Sequence, residues 1–113
     1  MLDGVASNLE QYMTLLADRQ KLVASNIANA DTPGYKTKDI DFQTEFQNAL
    51  HGAPPQVQEV QGLTVKNDGN NVSLDREARL LAENGLRFSI ASSLMRDQIK
   101  NLRMAIEGGG SGS

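Results

Sequence analysis

The sequence of 113 residues contains no cysteine and no tryptophan, and it has only three prolines and five aromatic residues. Without cysteine the chain can form neither a disulfide framework nor a thiolate metal site. Aromatic side chains supply much of the buried area in most small cores, so a core here must depend on aliphatic residues. We therefore expect part of the apolar surface to be completed by a partner.

The chain also lacks an excess of basic charge and any long apolar run. Its net charge is -3, whereas binding to a phosphate backbone requires a basic surface, so no nucleic acid partner is expected. No stretch approaches the roughly 20 apolar residues of a membrane span. Residues 1–10 include two acidic side chains and no apolar run, so they do not have the pattern of a cleaved secretory signal peptide.

Side chains that could support catalysis are scarce and scattered. His51 is the only histidine and lies in a loop rich in glycine and proline, where a solvated side chain is expected. Asp39 and Asp41 stand beside two lysines and are interpreted as capping and surface charge. Residues 67–71 lack the acidic spacing and closing glutamate of a calcium loop and are interpreted as a turn. We expect no enzymatic activity, no metal and no cofactor.

The C-terminal part carries the clearest pattern, an apolar residue at alternating steps of four and three. Eight of ten positions in this series are apolar, which predicts a coiled-coil helix about 50 Å long. Ser73 is the expected N-cap of this helix. We call the series the apolar row: Leu74, Ala78, Leu81, Gly85, Phe88, Ser92, Met95, Ile99, Leu102 and Ile106.

A weaker series marks the N-terminal part and predicts a second long helix that ends before Pro33. The series is interrupted at Arg19 and Gln20. Each helix also has a second set of apolar residues beside the first. Because a pair of helices cannot cover both sets, we expect some of this surface to meet other subunits. The first series is Val5, Leu9, Tyr12, Leu16, Val23, Ile27 and Ala30; the second sets are Met13 and Leu15, and Leu80, Leu86, Ile90 and Leu94.

The middle of the chain lacks a long helical pattern and shows short turn, helix and loop patterns. Residues 31–35 have proline and glycine in the order that a type II turn prefers. Asp41 can cap a short helix whose apolar face holds Phe42, Phe46 and Leu50. Residues 51–62 are interpreted as a loop, and residues 63–70 as an extended piece with a turn that could form a small hairpin.

The predicted fold class is therefore all-α, with two long terminal helices that pair as a coiled coil around a short irregular insertion. We expect one domain over residues 1–107, with terminal helices over 3–31 and 74–107 and the insertion over 32–73. Residues 108–113, Gly-Gly-Gly-Ser-Gly-Ser, are interpreted as an artificial linker, which places the natural end of the chain near residue 107.

Residues 24–36 have the sequence ASNIANADTPGYK, which resembles the N-terminal signature of the flagellar axial proteins: the rod, hook and hook-associated subunits. Residues 38–42 and 68–75 are similar to the corresponding parts of the proximal rod proteins. Together they identify the chain as a member of the flagellar basal-body rod family. The resemblance spans roughly residues 2–106 and is weakest over residues 52–62.

The resemblance implies a structural subunit of the bacterial flagellar basal-body rod that serves motility and self-assembles through its terminal helices. It further implies export by the flagellar type III apparatus without a cleaved signal peptide, and a periplasmic location. The expected partners are copies of itself, other rod proteins and the adaptor between the rod and the membrane ring. The expected assembly interface comprises Leu9, Leu16, Val23, Asn26, Ile27, Asn29, Pro33, Gly34, Tyr35, Phe88, Met95, Ile99, Leu102 and Ile106.

Three alternatives stay open from the residues alone. The corner around Asn26 and Asn29 is a contact between subunits, a well-made helix stop that orients Tyr35, or both at once. Arg96, Lys100 and Arg103 fall on one side of the last helix and form either a solvated face or a basic strip that meets an acidic neighbour. The whole chain could instead be a soluble helical adaptor or regulatory module that clasps a partner helix.

Overall fold

The computed structural model describes residues 2–110 and contains three helices and two very short strands. In chain order these are α1 (Leu2–Ala28), β1 (Lys38–Asp39), α2 (Phe42–Leu50), β2 (Gln58–Glu59) and α3 (Leu74–Gly110). The principal dimensions are 71 × 25 × 17 Å, which the two long helices determine. The predicted fold class is confirmed: α1 and α3 pack together, and the short helix and the strands lie between them in the chain.

Helices α1 and α3 run antiparallel. Near the end of α1, Asn26 Nδ2 donates to Glu77 Oε1 at the beginning of α3, over 2.6 Å. In the middle, Asn84 Nδ2 donates to Gln20 Oε1 over 3.2 Å. Toward the beginning of α1, Val5 shares a groove with Leu94. The last part of α3 therefore extends beyond the beginning of α1, and every residue from 99 to 108 is exposed.

The face of α3 that contacts α1 is not the apolar row. The buried residues of α3 are Glu77, Asn84 and Ala91, whereas Leu81 and Phe88 of the apolar row are 43% and 41% exposed. The contact face is thus rotated by about one residue, or roughly 100°, from the position that the apolar pattern predicts. This contact face is favoured because Glu77 accepts from Asn26 and the Nδ2 of Asn84 donates to Gln20, although the buried Oδ1 of Asn84 has no partner within residues 2–110.

The insertion covers one side of α1. Leu15 is 2% exposed and lies in a cleft with Ala49 and Pro54. The ring of Tyr12 lies 5.3 Å from that of Phe42 and 5.4 Å from that of Phe46, edge to face in both pairs. Leu15 is therefore not part of the apolar surface that is left for other subunits, because its own chain covers it.

Both predicted N-caps are present. Ser73 Oγ accepts from the backbone N–H of Arg76 over 3.2 Å, and an Asp41 carboxylate oxygen accepts from the N–H of Thr44 over 3.4 Å. These caps satisfy amides that have no partner inside the helix. They explain why α3 begins at Leu74 and α2 at Phe42.

The structure differs from the expectation in three places. Helix α1 covers Leu2–Ala28 and not residues 3–31. The antiparallel strand pair joins Lys38 to Glu59 and Asp39 to Gln58, so residues 63–70 contain the expected turn, at residues 67–69, but do not form a hairpin. Helix α3 continues to Gly110, although glycine is unfavourable in a helix by about 1 kcal/mol relative to alanine. The remaining residues of the expected linker, 111–113, lie outside the described part of the chain.

Candidate assembly surface

The signature segment forms the corner where α1 ends. The N–H of Tyr35 donates to Thr32 O over 3.2 Å and closes a turn with Pro33 second and Gly34 third. Gly34 has φ +76°, a conformation that a type II turn requires at this position and that residues with a Cβ rarely adopt. The predicted turn is confirmed.

Asn26 is the centre of this corner and is fully buried. Its Nδ2 donates to Lys38 O over 2.8 Å and to Glu77 Oε1 over 2.6 Å. Its Oδ1 accepts from the Tyr35 hydroxyl over 2.9 Å and from the N–H of Lys38 over 3.1 Å. One amide thus joins α1, the turn, β1 and α3, which explains why a residue that is unfavourable inside helices stands here.

A second asparagine, Asn70, supports the end of α1 from the irregular segment that precedes α3. Asn70 Nδ2 donates to the carbonyls of Asn29 and Thr32, each over 2.8 Å. Lys66 Nζ donates to Ala30 O over 3.2 Å. These donors satisfy carbonyls at the C-terminal end of the helix, where a positive charge is also favourable.

The corner closes by a contact between two glycines. A Cβ added to Gly69 would stand 3.3 Å from Gly34 Cα, which is tighter than ordinary van der Waals contact. Gly69 also has φ +87°. The segment 68–75 is therefore close to residues 32–36 because both sides lack a side chain at the crossing point.

A partly buried ionic network ties the corner to both long helices. Asp39 receives two hydrogen bonds of 2.9 Å from Arg19 and one of 2.6 Å from Arg76. Arg76 also donates to Glu77 over 2.6 Å, and the carboxylate of Glu77 is completely buried. Asp39 is only 6% exposed, so its interpretation as surface charge is wrong.

The ionic network holds Asp39 and Arg76 in their charged forms. Burial alone would raise the pKa of Asp39, but hydrogen bonds from Arg19 and from the N–H of Ile40, with the charge of Arg19, hold that pKa below its ordinary value. Burial would likewise lower the pKa of Arg76, yet its bonds to Glu77 and Asp39 raise it. Both groups therefore stay charged, and each stabilises the other.

The sequence contains one signal of this network, an interruption of the apolar series of α1. Arg19 and Gln20 interrupt the apolar series of α1, and both have polar partners: Asp39 for Arg19 and Asn84 for Gln20. An interruption of an apolar series by two polar residues thus marks a polar layer between the helices.

The exposed apolar surface lies mainly on α3, on both sides of its contact with α1. On the α2 side, Val5, Leu9, Ile90 and Leu94 line a groove of about 390 Å³. On the opposite side the backbone of α3 contacts no helix or strand of residues 2–110 other than α1, and there Leu16, Gln20, Gly85 and Phe88 line a cavity of about 250 Å³. We call this second side, lined by these four residues, the open flank.

The structure separates the predicted interface residues into three groups. Leu16, Val23 and Asn26 are buried inside the subunit, so they can influence a contact only by holding the helices in place. Leu9, Asn29, Tyr35 and Met95 are half-buried. The exposed members are Ile27, Pro33, Gly34, Phe88, Ile99, Leu102 and Ile106.

The predicted basic strip lies at the end of α3. Arg96, Lys100 and Arg103 are all exposed. Arg96 donates to Ser93 Oγ over 3.0 Å, whereas Lys100 and Arg103 form no ion pair within residues 2–110. The strip runs beside Ile99, Leu102 and Ile106, because residues three or four positions apart lie on one side of a helix.

Among the helices of residues 2–110, none has the length and apolar character that a membrane crossing requires. The family model of flagella basal body rod proteins matches residues 13–36. This range covers the second half of α1 and the whole turn of the signature, including Asn26, Gly34 and Tyr35. The match thus falls on the segment whose hydrogen bonds build the corner.

Curated relatives match nearly the whole chain. The flagellar basal body rod protein FlgB of Escherichia coli (strain K12) is 32% identical, over 96% of this chain and 96% of its own length. FlgB of Salmonella typhimurium is 29% identical over the same shares, and FlgB of Bacillus subtilis (strain 168) is 26% identical over 96% of this chain and 98% of its own. The chain therefore belongs to the FlgB family of flagellar basal body rod proteins.

Proposed function

We propose that this chain is a structural subunit of the proximal rod of the bacterial flagellum and that it assembles through the exposed apolar surface of its terminal helices. The observation that carries this proposal is the position of the apolar row. Leu81, Phe88 and Ile99 are 43%, 41% and 50% exposed, although their spacing is that of a helix contact. A row of this length on a single chain requires cover from neighbouring chains.

The signature corner gives the subunit a fixed shape for assembly. Short hydrogen bonds join α1 to β1 through Asn26 and Lys38, α1 to α3 through Asn26 and Glu77, and α3 to β1 through Arg76 and Asp39. The arrangement of the two helices at the corner is therefore fixed within one subunit. Buried polar networks of this kind specify one arrangement when every member is satisfied. The corner thus supports the role of a helix stop, while the exposed Pro33 and Gly34 leave its outer edge free for a neighbour.

The partners, the location and the export route that we propose are those expected for a member of the rod protein family. The partners are copies of this chain, other rod proteins and the adaptor between the rod and the membrane ring. The location is the periplasmic part of the basal body, reached through the flagellar type III apparatus without a cleaved signal peptide. The chain acts as a building unit and not as an enzyme, with one domain over residues 1–107. These roles accord with the rod proteins that match it over nearly their full length.

A substitution in the apolar row tests the proposal. Replacing Ile99 or Leu102 with aspartate places a charge where a neighbouring subunit would bury it, at a cost of several kcal/mol. Both variants are expected to fold, because these side chains are exposed in the subunit. Each should abolish motility and rod assembly in cells that depend on it.

Gln56→Asp is the matched control, since Gln56 is exposed in the central loop. This variant should assemble and support motility normally. The proposal is wrong if Ile99→Asp and Leu102→Asp are present at normal levels and still yield complete, motile basal bodies.

A further inference from the structure

A cleft of about 280 Å³ lies between α1 and the loop that follows α2. Its walls are mostly apolar, with Leu15 on α1 and Ala49, Ala53, Pro54 and Pro55 on the other side. This volume falls below the roughly 300–1,000 Å³ of pockets that enclose whole small molecules. The cleft therefore has the size for one long side chain and not for a cofactor. We call it the loop cleft.

Asp18 is the only charged residue that lines the loop cleft. It is half-buried and forms no ion pair within residues 2–110. The neighbouring Arg19 is paired with Asp39. Lys21, one turn further along α1, is exposed and forms no ion pair within this range either. An unpaired carboxylate beside apolar walls favours a cationic partner.

Two further features give the surroundings of the loop cleft negative charge. Ala49 lies in the last turn of α2, where the helix dipole places partial negative charge and which contains no basic residue. Glu45, one turn earlier, is 5% exposed and accepts from the N–H of Gln56 over 2.9 Å, but it has no ion pair within the described residues. The C-cap of α2, His51, is exposed and does not line the cleft.

The chemistry of the loop cleft fits the side chain of a lysine. The four-carbon stem of lysine packs along apolar surface while its ammonium group reaches a polar partner. Thr14 lies one turn before Asp18 and lines the same wall, so its hydroxyl oxygen can accept a second of the three ammonium N–H bonds. A compact charge with three donors thus suits a single carboxylate beside a hydroxyl.

This chain is a poor source of that lysine. Its net charge of -3 makes two copies repel each other. Three of its five lysines are also engaged within their own subunit. Lys36 Nζ donates to Gly69 O, Lys66 Nζ donates to Ala30 O over 3.2 Å, and Lys38 Nζ lies 5.9 Å from the centre of the Tyr35 ring. Charge complementarity therefore favours a basic partner of different sequence.

We propose that the loop cleft is a docking site for one lysine side chain of a different protein, with the ammonium group on Asp18 and the stem between Leu15 and Pro54. The site is separate from the apolar row of α3, so it adds a charged anchor at the central insertion. This inference rests on the proposed function, because it assigns to the rod subunit one contact with an unlike neighbour.

Titration of the full chain with Nα-acetyl-lysine methylamide, followed by the amide resonances in NMR, tests the cleft by itself. The expected Kd is about 1–100 mM, with shifts confined to residues 11–18 and 49–56. A probe whose ammonium group is acetylated, and separately Asp18→Asn, should each weaken binding by about three- to tenfold. Asp97→Asn removes an exposed carboxylate on α3 and should bind as the wild type does. Absence of saturable shifts, or equal binding of the two probes, would overturn the site.

Carbodiimide coupling in purified basal bodies tests the partner. The reagent joins a carboxylate to an amine that touches it, taking up the water that is lost, and mass spectrometry locates the new amide bond. We expect Asp18 to be joined to a lysine of a different protein, and Asp18→Asn to remove this product.

The other outcomes of the coupling each count against the proposal. Asp18 joined only to Lys21 of its own chain, joined to a lysine of a second copy, or left uncoupled while other carboxylates react would overturn the unlike partner. If the chain is absent from basal bodies, the proposed function and this partner are both wrong, even where the isolated cleft binds the lysine probe.

Discussion

Replacement of Asn26 by alanine is the most informative single change in the corner. The buried amide makes four hydrogen bonds, two of them with the backbone of Lys38 and one with the buried carboxylate of Glu77. Loss of a neutral bond costs about 1 kcal/mol and a bond to a charged group about 1.5–3 kcal/mol, with more for a partner left unsatisfied. Glu77 keeps its bond to Arg76, so we add no further cost for an unpaired carboxylate and expect a total loss of about 4–6 kcal/mol.

That loss is large relative to the total stability of about 5–15 kcal/mol expected for a domain. Urea denaturation followed by circular dichroism at 222 nm measures it directly. Asn29→Ala is the matched control, because Asn29 belongs to the same signature but is only half-buried and its side chain makes only two local hydrogen bonds. We expect Asn29→Ala to lose about 1 kcal/mol or less. Equal losses for the two variants would refute the central role of Asn26.

Two further predictions concern the ionic network and the end of α3. Because the folded-state pKa of Asp39 lies below its ordinary value of 3.8, its stabilising contribution should be complete above that pH and be lost as the pH falls below it. Asp39→Asn should remove this part of the acid transition in urea titrations, and an unchanged acid transition would contradict the assignment. In hydrogen exchange on dilute protein, residues 99–107, which are all exposed, should exchange rapidly and residues 16–26 slowly. Uniform protection along α3 would contradict this difference.

The elements that follow from local chemistry could be predicted from the sequence. Ser73 and Asp41 cap their helices, and Pro33 with Gly34 forms the expected turn, because each effect depends on residues within four positions. The two long helices follow from an apolar spacing that continues over many turns. These elements can be predicted without knowledge of contacts between residues that are distant in the sequence.

The face on which the helices meet could not be predicted in the same way. The apolar spacing points to Leu81 and Phe88, whereas Glu77 and Asn84 occupy the contact. Burial of those two side chains is favourable only because Asn26 and Gln20, more than fifty residues away in the chain, supply their hydrogen bonds. A pattern that scores polar residues as exposed therefore assigns the contact to the neighbouring row.

Contacts between distant segments also could not be predicted for the insertion and for the ionic network. The apolar pattern places Leu15 in a second set that a pair of helices cannot cover, but α2 and the loop that contains Pro54 cover it. Asp39 was assigned to the surface, although two arginines from different helices meet there. Both errors arise because contacts between distant segments leave no periodic trace in the sequence.

The measurement that tests the central claim most directly is a cryo-electron microscopy map of the assembled basal body with this chain placed in the rod. We expect Leu81, Phe88, Ile99 and Leu102, which are exposed in the single subunit, to be buried against neighbouring subunits there. Assembly through the apolar row would be contradicted by a map in which these four side chains face solvent and the subunits meet through the central insertion instead.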